Sequence, residues 1–362
     1  MRTAIVYDRV NKWGGAERVL VALHNIFPDA PLYTSVYNPV NASWARAFPN
    51  IYTSFIQKLP GAKSRHELIP FLMPIAFETF DFSDYDLVIS VTSEFAKGII
   101  TTPKTKHVCY LLTPTRYLWS GYDEYFSNSL FRALTKPLIN YLRYWDMIAS
   151  KRPDMVISIS KEVQKRVKRY YGIDSKVIYP PLFIDRYNIT RFTTKLNGVK
   201  YKNYFLVVSR LVKYKKVDIA IRVFNQLNYP LVVIGKGKEE KYLKSIAGSN
   251  VYFLKNLTDR KLANYYYGAR ALVMPQLEDF GLVSIEAQSY GTPVIAYAKG
   301  GALDTVNKET GIIFNDQTKA GLSEAILRFN QQLFDREAII KNTKRFSFRV
   351  FQQKLLKTIN EN

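Results

Sequence analysis

Short aliphatic and β-branched runs alternate along the chain with stretches whose apolar positions recur every three to four residues. In the first half, the runs at residues 3–7, 32–35, 87–91, 107–111, 155–158 and 177–179 predict strands. Between the first two, Ala16, Val19, Leu20, Leu23 and Phe27 share one helical face and predict a helix over 16–27. Pro180-Pro181 then breaks any regular element, since each proline restricts the residue before it. The polar stretch 185–203 follows, and the hinge is expected in it or just before it. The second half restarts the alternation: strands at 204–208, 231–234, 251–254, 271–274, 293–297 and 311–314, helices at 217–227, 239–246, 258–267, 283–290 and 320–330. The terminal segment 346–359 is amphipathic through Phe348, Phe351, Leu355 and Ile359, and is expected to cross back to the first half.

Strand–helix alternation with continuously apolar strands implies an α/β protein whose parallel sheets are covered on both faces. Single cores stop growing near ~250–300 residues, so 362 residues imply two domains. The expected division is residues 1–183 with the terminal helix 345–362, and residues 184–344. Two doubly wound, Rossmann-like domains facing a cleft is the economical architecture, with ligands at the carboxyl ends of the strands.

Composition narrows the chemistry. Lysine and arginine number 52 against 30 acids, a formal net charge of +22. One cysteine, Cys109, excludes a disulfide framework, and three histidines leave little for a histidine metal centre. The chain enters a strand-like run at once, so no signal peptide is expected, and no window approaches the ~18 apolar residues of a spanning helix. A cytoplasmic protein is the expectation. Basic positions cluster beside apolar and aromatic ones at 57–77, 126–152 and 160–169. That pattern suits an anionic membrane surface, nucleic acid, or an ordinary solvated face. No nucleic-acid-binding motif is present to favour the second.

The sharpest local signal is the segment from Pro275 to Ala296, which reads strand, loop, helix, strand. Glu278 and Glu286 bracket Asp279-Phe280-Gly281 at the loop-to-helix junction. Glycine there permits close approach of a ligand, and the amides of Gly281, Leu282 and Val283 at a helix start favour a phosphate. Glu286, one turn in, is placed to accept both hydroxyls of a ribose, and Glu278 to reach another part of the same ligand. Upstream, Arg210 and Lys215 lie across a strand-to-helix turn, suited to a diphosphate or to a solvated turn. Gly14-Gly15 joins a strand to a helix near the N-terminus and would line a phosphate or sugar, or form a tight turn. The loop from Ile234 to Glu239, with Gly235 and Gly237, is similar but weak alone.

Together these residues resemble a retaining glycosyltransferase of family 4 with the GT-B fold, over nearly the whole chain. The carriers are Gly14-Gly15-Ala16-Glu17-Arg18, Ser209-Arg210-Leu211-Val212 with Lys215, the Glu278/Glu286 spacing, and Pro180-Pro181. The segment His107 to Trp119 is similar to the branch holding mannosyltransferases of O-antigen and exopolysaccharide assembly. One departure stands out: Leu112 occupies the place of a histidine that helps orient the donor sugar in many relatives. Thr113, Arg116 or the backbone would have to substitute, the pocket would suit another sugar, or the enzyme would be weakened. His107, five residues earlier, is expected to be structural.

The resemblance implies transfer of a hexose, mannose from GDP-mannose or a UDP-sugar, to a glycan or lipid-linked saccharide, in cell-surface polysaccharide biosynthesis. It implies a front-face displacement with no protein nucleophile, no metal and no cofactor. Arg210, Lys215 and the amides from Gly281 to Val283 would stabilise the leaving diphosphate, Glu278 would hold the sugar, and Glu286 the ribose. Phe280 would line the same site, and Lys255, Asn256 and Leu257 would meet the base. Peripheral attachment to the inner face of the membrane would suit a lipid-linked acceptor. A GT-B epimerase and a basic nucleic-acid-binding module are the rival readings; only an epimerase acts on a nucleotide sugar without an acceptor.

Overall fold

The computed structural model describes residues 1–65, 69–183, 195–196, 199–200 and 203–361. They form two compact units, Met1–Pro181 with Phe348–Asn362, and Leu182–Ser347. The expected boundary at 183/184 and most of the expected hinge at 185–203 lie outside the described residues.

The first unit is built on a parallel sheet of β1 (Thr3–Tyr7), β2 (Leu32–Thr34), β3 (Ile51–Thr53), β4 (Leu87–Thr92), β5 (Lys106–Leu111), β6 (Met155–Ser158) and β7 (Lys176–Val177). Their order is β3-β2-β1-β4-β5-β6-β7. Every residue of β1 and β4 is buried, as expected of central strands covered on both faces. Two differences from the sequence reading arise at the edges. The strand β3 was not foreseen: it has three residues, with Tyr52 exposed, too few to show a period. The strand expected at 177–179 ends at Val177, three residues before Pro180.

The sheet order reverses between β1 and β4, and there Asp8 is almost fully buried. Its carboxylate accepts from Thr92 Oγ1 at 2.7 Å and from the amides of Ser93 (2.7 Å), Glu94 (3.1 Å), Phe95 (2.9 Å) and Ala96 (2.8 Å). Alongside it, Lys97 Nζ and Asp146 Oδ1 form an ion pair at 2.6 Å, each about 1% exposed. Such a pair is tolerable only with its remaining valences filled. Asp146 fills them with Trp119 Nε1 (2.7 Å), the Tyr171 hydroxyl (2.7 Å) and Thr115 Oγ1 (3.0 Å). Asp146 sits on the long helix Ser129–Ala149, so this network fastens that helix to the strand ends. The terminal helix Phe348–Asn360 belongs to the first unit: Phe351 meets Tyr110 edge-on, and Lys106 Nζ donates to the Ile359 carbonyl at 2.6 Å.

The second unit opens with a two-residue antiparallel pair, β8 (Lys195–Leu196) and β9 (Val199–Lys200). Its parallel sheet comprises β10 (Phe205–Val208), β11 (Leu231–Ile234), β12 (Val251–Leu254), β13 (Leu272–Met274), β14 (Val294–Tyr297) and β15 (Gly311–Phe314), in the order β12-β11-β10-β13-β14-β15. Alternate residues feed two cores. Phe205, Val207, Val233, Val273 and Ile295 pack with Ile221, Phe224, Leu322 and Ile326 of the helices Val217–Leu227 and Lys319–Asn330. Leu206, Val232, Leu272 and Val294 pack on the other face with Tyr265, Tyr266 and Ala287. The continuously apolar strands thus reflect burial on both sides, and the order again reverses, here between β10 and β13.

The buried groups of the first unit make its stability depend on pH. His107 on β5 is fully buried, with Nε2 at 2.8 Å from Ser90 Oγ and Nδ1 without a partner. Burial, and then the nearby Arg152 charge, push its pKa from the ordinary 6.5 down to about 3. The folded value lies below the unfolded one, so the native state binds fewer protons. The His107 contribution is therefore present above about pH 6.5 and is lost as pH falls toward 3, at up to about 1.4 kcal/mol per pH unit. A melting-temperature series should show the wild type falling more steeply than His107→Gln between pH 6.5 and 4; parallel curves would refute the assignment.

Candidate functional site

The reversal point of the second sheet brings together loops from its two central strands. From β10 the chain runs through Ser209–Val212 into a short 3-10 turn, Lys213–Lys215, and then the helix Val217–Leu227. The 209–211 segment is tied to the neighbouring glycine loop: Ser209 N donates to the Ile234 carbonyl and Leu211 N to the Lys236 carbonyl, both at 3.0 Å. The Gly235/Gly237 loop, weak as a binding motif, therefore has a structural task here. From β13 the chain runs through Pro275 to Gly281, which begins the helix Leu282–Ser289. Gly281 has φ +90°, a left-handed conformation that favours glycine, and no side chain caps the helix start.

These two loops meet in one ion pair. Lys215, 8% exposed, places Nζ on Glu278 Oε1. The same oxygen accepts from Gln276 Nε2 at 2.7 Å. A third loop, after β14, holds the acid in place. Gly301 N donates to the Glu278 carbonyl at 2.8 Å, and Gly300 pairs with Glu278 as an isolated parallel bridge. A Cβ on Gly300 would lie 2.2 Å from the Glu278 carbonyl oxygen, and one on Gly301 would lie 2.2 Å from Phe280 Cα. The backbone between Glu278 and Gly281 is thus packed against a surface that only glycine can form.

The other expected residues fall in distinct places. Arg210 is exposed and donates to the Tyr214 hydroxyl, and both cations lie near the Tyr214 ring, Arg210 Cζ at 5.9 Å and Lys215 Nζ at 5.2 Å from its centroid. Glu286 is half-buried on the helix Leu282–Ser289, its Oε2 accepting from the Tyr266 hydroxyl at 2.8 Å. Leu282 and Val283 are half-buried at the helix start beside Gly281. Phe280 differs from the sequence reading: it is 3% exposed and its ring packs edge-on against Phe346, so its side chain is core rather than lining. Lys255 and Asn256 are exposed beyond β12, Asn256 with φ +56° and Lys255 Nζ 3.4 Å from Glu240 Oε1. Leu257 packs against the core on the Tyr266 side.

The remaining candidates lie in the first unit. Gly14 is the extended N-cap residue of the helix Gly15–Ile26, and Gly15 is exposed. Glu17, one turn in, is buried and accepts the Tyr7 hydroxyl at 2.8 Å. Thr113 is 4% exposed, its Oγ1 3.4 Å from Arg166 Nη1, and Arg116 is half-buried. Leu112 extends the strand ladder through its amide to the Thr92 carbonyl at 2.8 Å. Burial pushes the Cys109 thiol up to about 12, so it has no nucleophilic character near neutrality. Among the described residues, no group of three or more histidine, cysteine, aspartate or glutamate side chains stands together to hold a metal ion.

Sequence reasoning did not foresee Gln276, Gly300, Gly301 or Tyr266 as parts of this constellation. The glycine pair after a strand was a visible signal for close approach. Nothing in the sequence marks Tyr266 as the partner of an acid twenty positions away. A depression of about 360 Å³ lies nearby, but Val212, Lys213, Lys216, Glu239, Tyr242 and Leu243 line it, not Glu278 or Glu286.

Comparison with known proteins finds a family match over part of the chain and a shared fold over the whole of it. Residues 189–346 match the family described as "Glycosyl transferases group 1". A GDP-mannose-dependent monoacylated alpha-(1-6)-phosphatidylinositol monomannoside mannosyltransferase of Corynebacterium glutamicum is 27% identical over 219 residues, 51% of this chain and 57% of that protein. The chain spans just over half the length of the curated relatives it matches. Anabaena HepE, solved with UDP, superposes with a TM-score of 0.71 at 19% identity, covering 100% of both chains. Sucrose-phosphate synthase from Thermosynechococcus elongatus gives 0.72 at 17% identity over 100% of this chain and 99% of that one. The two parallel-sheet units therefore make the GT-B fold.

The glycine clamp carries a direct test. Gly301→Ala should cost about 1–3 kcal/mol of stability by overpacking against Phe280. It should also release the Glu278 loop, seen as faster amide exchange from 278 to 282; unchanged stability and exchange would show that the contact is not a constraint.

Proposed function

We propose that this chain, a member of the group 1 glycosyl transferases through residues 189–346, moves a hexose from a nucleotide diphosphate sugar to an acceptor hydroxyl with retention of anomeric configuration. The observation that carries the reading is the Lys215–Glu278 pair beside an uncapped helix start, at the reversal point of the sheet. A cation and free amides there suit a pyrophosphate, and acids there suit hydroxyls. In this reading the leaving β-phosphate oxygen takes the acceptor's proton as the new C1–O bond forms on the face from which the old one departs. Lys215, Arg210 and the amides from Gly281 to Val283 offset the charge that builds on the diphosphate. Glu278 takes sugar hydroxyls, and Glu286, oriented by Tyr266, takes the ribose. Lys255, Asn256 and Leu257 would take the base. No metal or cofactor is needed for charge balance in this scheme.

GDP-mannose is the favoured donor, in line with the donor named for the Corynebacterium relative, with UDP-sugars next. The favoured acceptor is a lipid-linked saccharide of cell-surface polysaccharide assembly. What supports a membrane-borne acceptor is the helix Ser129–Ala149. One face buries Ile139, Leu142, Trp145 and Ala149, while Leu130, Leu134, Tyr141, Tyr144 and Ile148 recur at helical spacing on another and are exposed, Leu134 by 72%. Exposed Lys136 lies on the same helix and exposed Lys151 just beyond its end, while exposed Arg132 pairs with Asp123 at 3.1 Å. An apolar stripe with basic residues nearby fits the surface of an anionic bilayer, lying on it rather than crossing it. Among the described residues no helix is long and apolar enough to span a membrane.

A thermal-shift screen over GDP-, UDP- and ADP-hexoses should show one nucleotide class raising the melting temperature, because binding to the folded state alone stabilises it. With that donor, Glu286→Ala should weaken nucleotide affinity, Glu278→Ala should mainly lower turnover, and Arg210→Ala should lose about 2–4 kcal/mol of transition-state stabilisation. Unchanged constants in all three would overturn the site. Separately, the protein should sediment with phosphatidylglycerol-containing vesicles and not with phosphatidylcholine alone. The triple variant Leu130→Ser, Leu134→Ser, Tyr144→Ser should lose about tenfold or more of that partition; equal sedimentation would remove the bilayer from the reading.

A further inference from the structure

Gln276 lies two residues before Glu278, at the carboxyl end of β13, and is 3% exposed. Its Nε2 donates to Glu278 Oε1 at 2.7 Å. That bond fixes which way the carboxamide points: turned over, it would set an amide oxygen against a carboxylate oxygen. The Gln276 oxygen therefore faces away from the acid, and it is buried with no hydrogen-bond partner. Native proteins seldom bury an acceptor in this state unless something outside the chain completes it. The neighbours do not supply a donor. Glu278 is an acceptor when ionised, and the Lys215 ammonium donates to Glu278 and makes no hydrogen bond to the Gln276 oxygen. The missing group must carry an O–H or N–H and must arrive beside the Lys215–Glu278 pair.

We propose that the Gln276 carboxamide oxygen accepts a hydrogen bond from one hydroxyl of the donor hexose, making Gln276 a specificity-determining residue of the sugar site. This rests on the glycosyltransferase reading above. The side chain then has two duties: through Nε2 it holds Glu278 in position for one hydroxyl, and through Oε1 it reads another. A sugar whose hydroxyl is missing or inverted at that carbon leaves the buried oxygen as it is in the free protein. The site therefore discriminates among hexoses by a hydroxyl, rather than by the size of the ring.

The test is a cycle of one substitution against a series of donors. GDP-mannose, UDP-glucose and ADP-glucose are first compared as substrates, and monodeoxy forms of the one turned over are then assayed with the wild type and Gln276→Met. That variant keeps the chain length and removes both polar atoms. For one deoxy donor the wild type should lose about tenfold or more in kcat/KM, while Gln276→Met loses about twofold or less on the same change. Equal losses for every deoxy donor would overturn the assignment and leave the transferase reading standing. A wild type that turns over none of the three donors would overturn both. Should Gln276→Met fail to fold, a structure of the wild type with its donor decides. A sugar hydroxyl within about 3.2 Å of Gln276 Oε1 supports the proposal, and a water or nothing in that place overturns it.

Discussion

The ion pair between Lys215 and Glu278 is where the architecture of the second unit and its chemistry meet. Its partners are 63 positions apart in sequence. They come together only because β10 and β13 are hydrogen-bonded neighbours at the centre of the sheet. In an open parallel sheet, loops leaving two adjacent central strands in opposite senses separate and leave a crevice. Here that crevice contains a nearly buried ammonium, and a nearly buried ammonium needs a counter-charge. Glu278 provides it, so the position of each depends on the other. The glycine pair after β14 then limits how far the acid's backbone can move. Strand order, loop packing and charge balance form one system, and none of the three can be altered alone.

Much of this was legible in the sequence, for an identifiable reason. Runs such as Leu231–Ile234 and Val251–Leu254 are continuously apolar because both faces of the sheet are covered, and their limits agree residue for residue with the structure. The helix Val217–Leu227 does the same, its start marked by a basic turn and its end by a left-handed asparagine. Edges were harder. Ile51–Thr53 is held by its neighbour rather than by its own pattern, and the segment after Val177 is governed by the prolines that follow.

Individual roles in the site were less legible than the elements that carry them. The acid spacing and the helix-start glycine are local features, and both are found where the sequence placed them. Long-range relations are not written locally. The sequence could not say that Phe280 would turn toward Phe346, that Tyr214 would stand near both Arg210 and Lys215, or that Tyr266 would hold Glu286. Gln276 is the clearest instance. A glutamine after a proline at a strand end looks unremarkable until its neighbours reveal one satisfied atom and one left over.

The carboxylate of Asp8 has a consequence for the first unit. Where strand order reverses there, the amides that would ordinarily attract a phosphate have already been claimed by the chain itself, from Ser93 through Ala96. That edge carries a built-in resident anion and has no vacancy for a second. Any attempt to graft an additional nucleotide pocket onto the amino-terminal half would have to begin by evicting Asp8, and would give up the anchor that holds β4 to the turn beyond it.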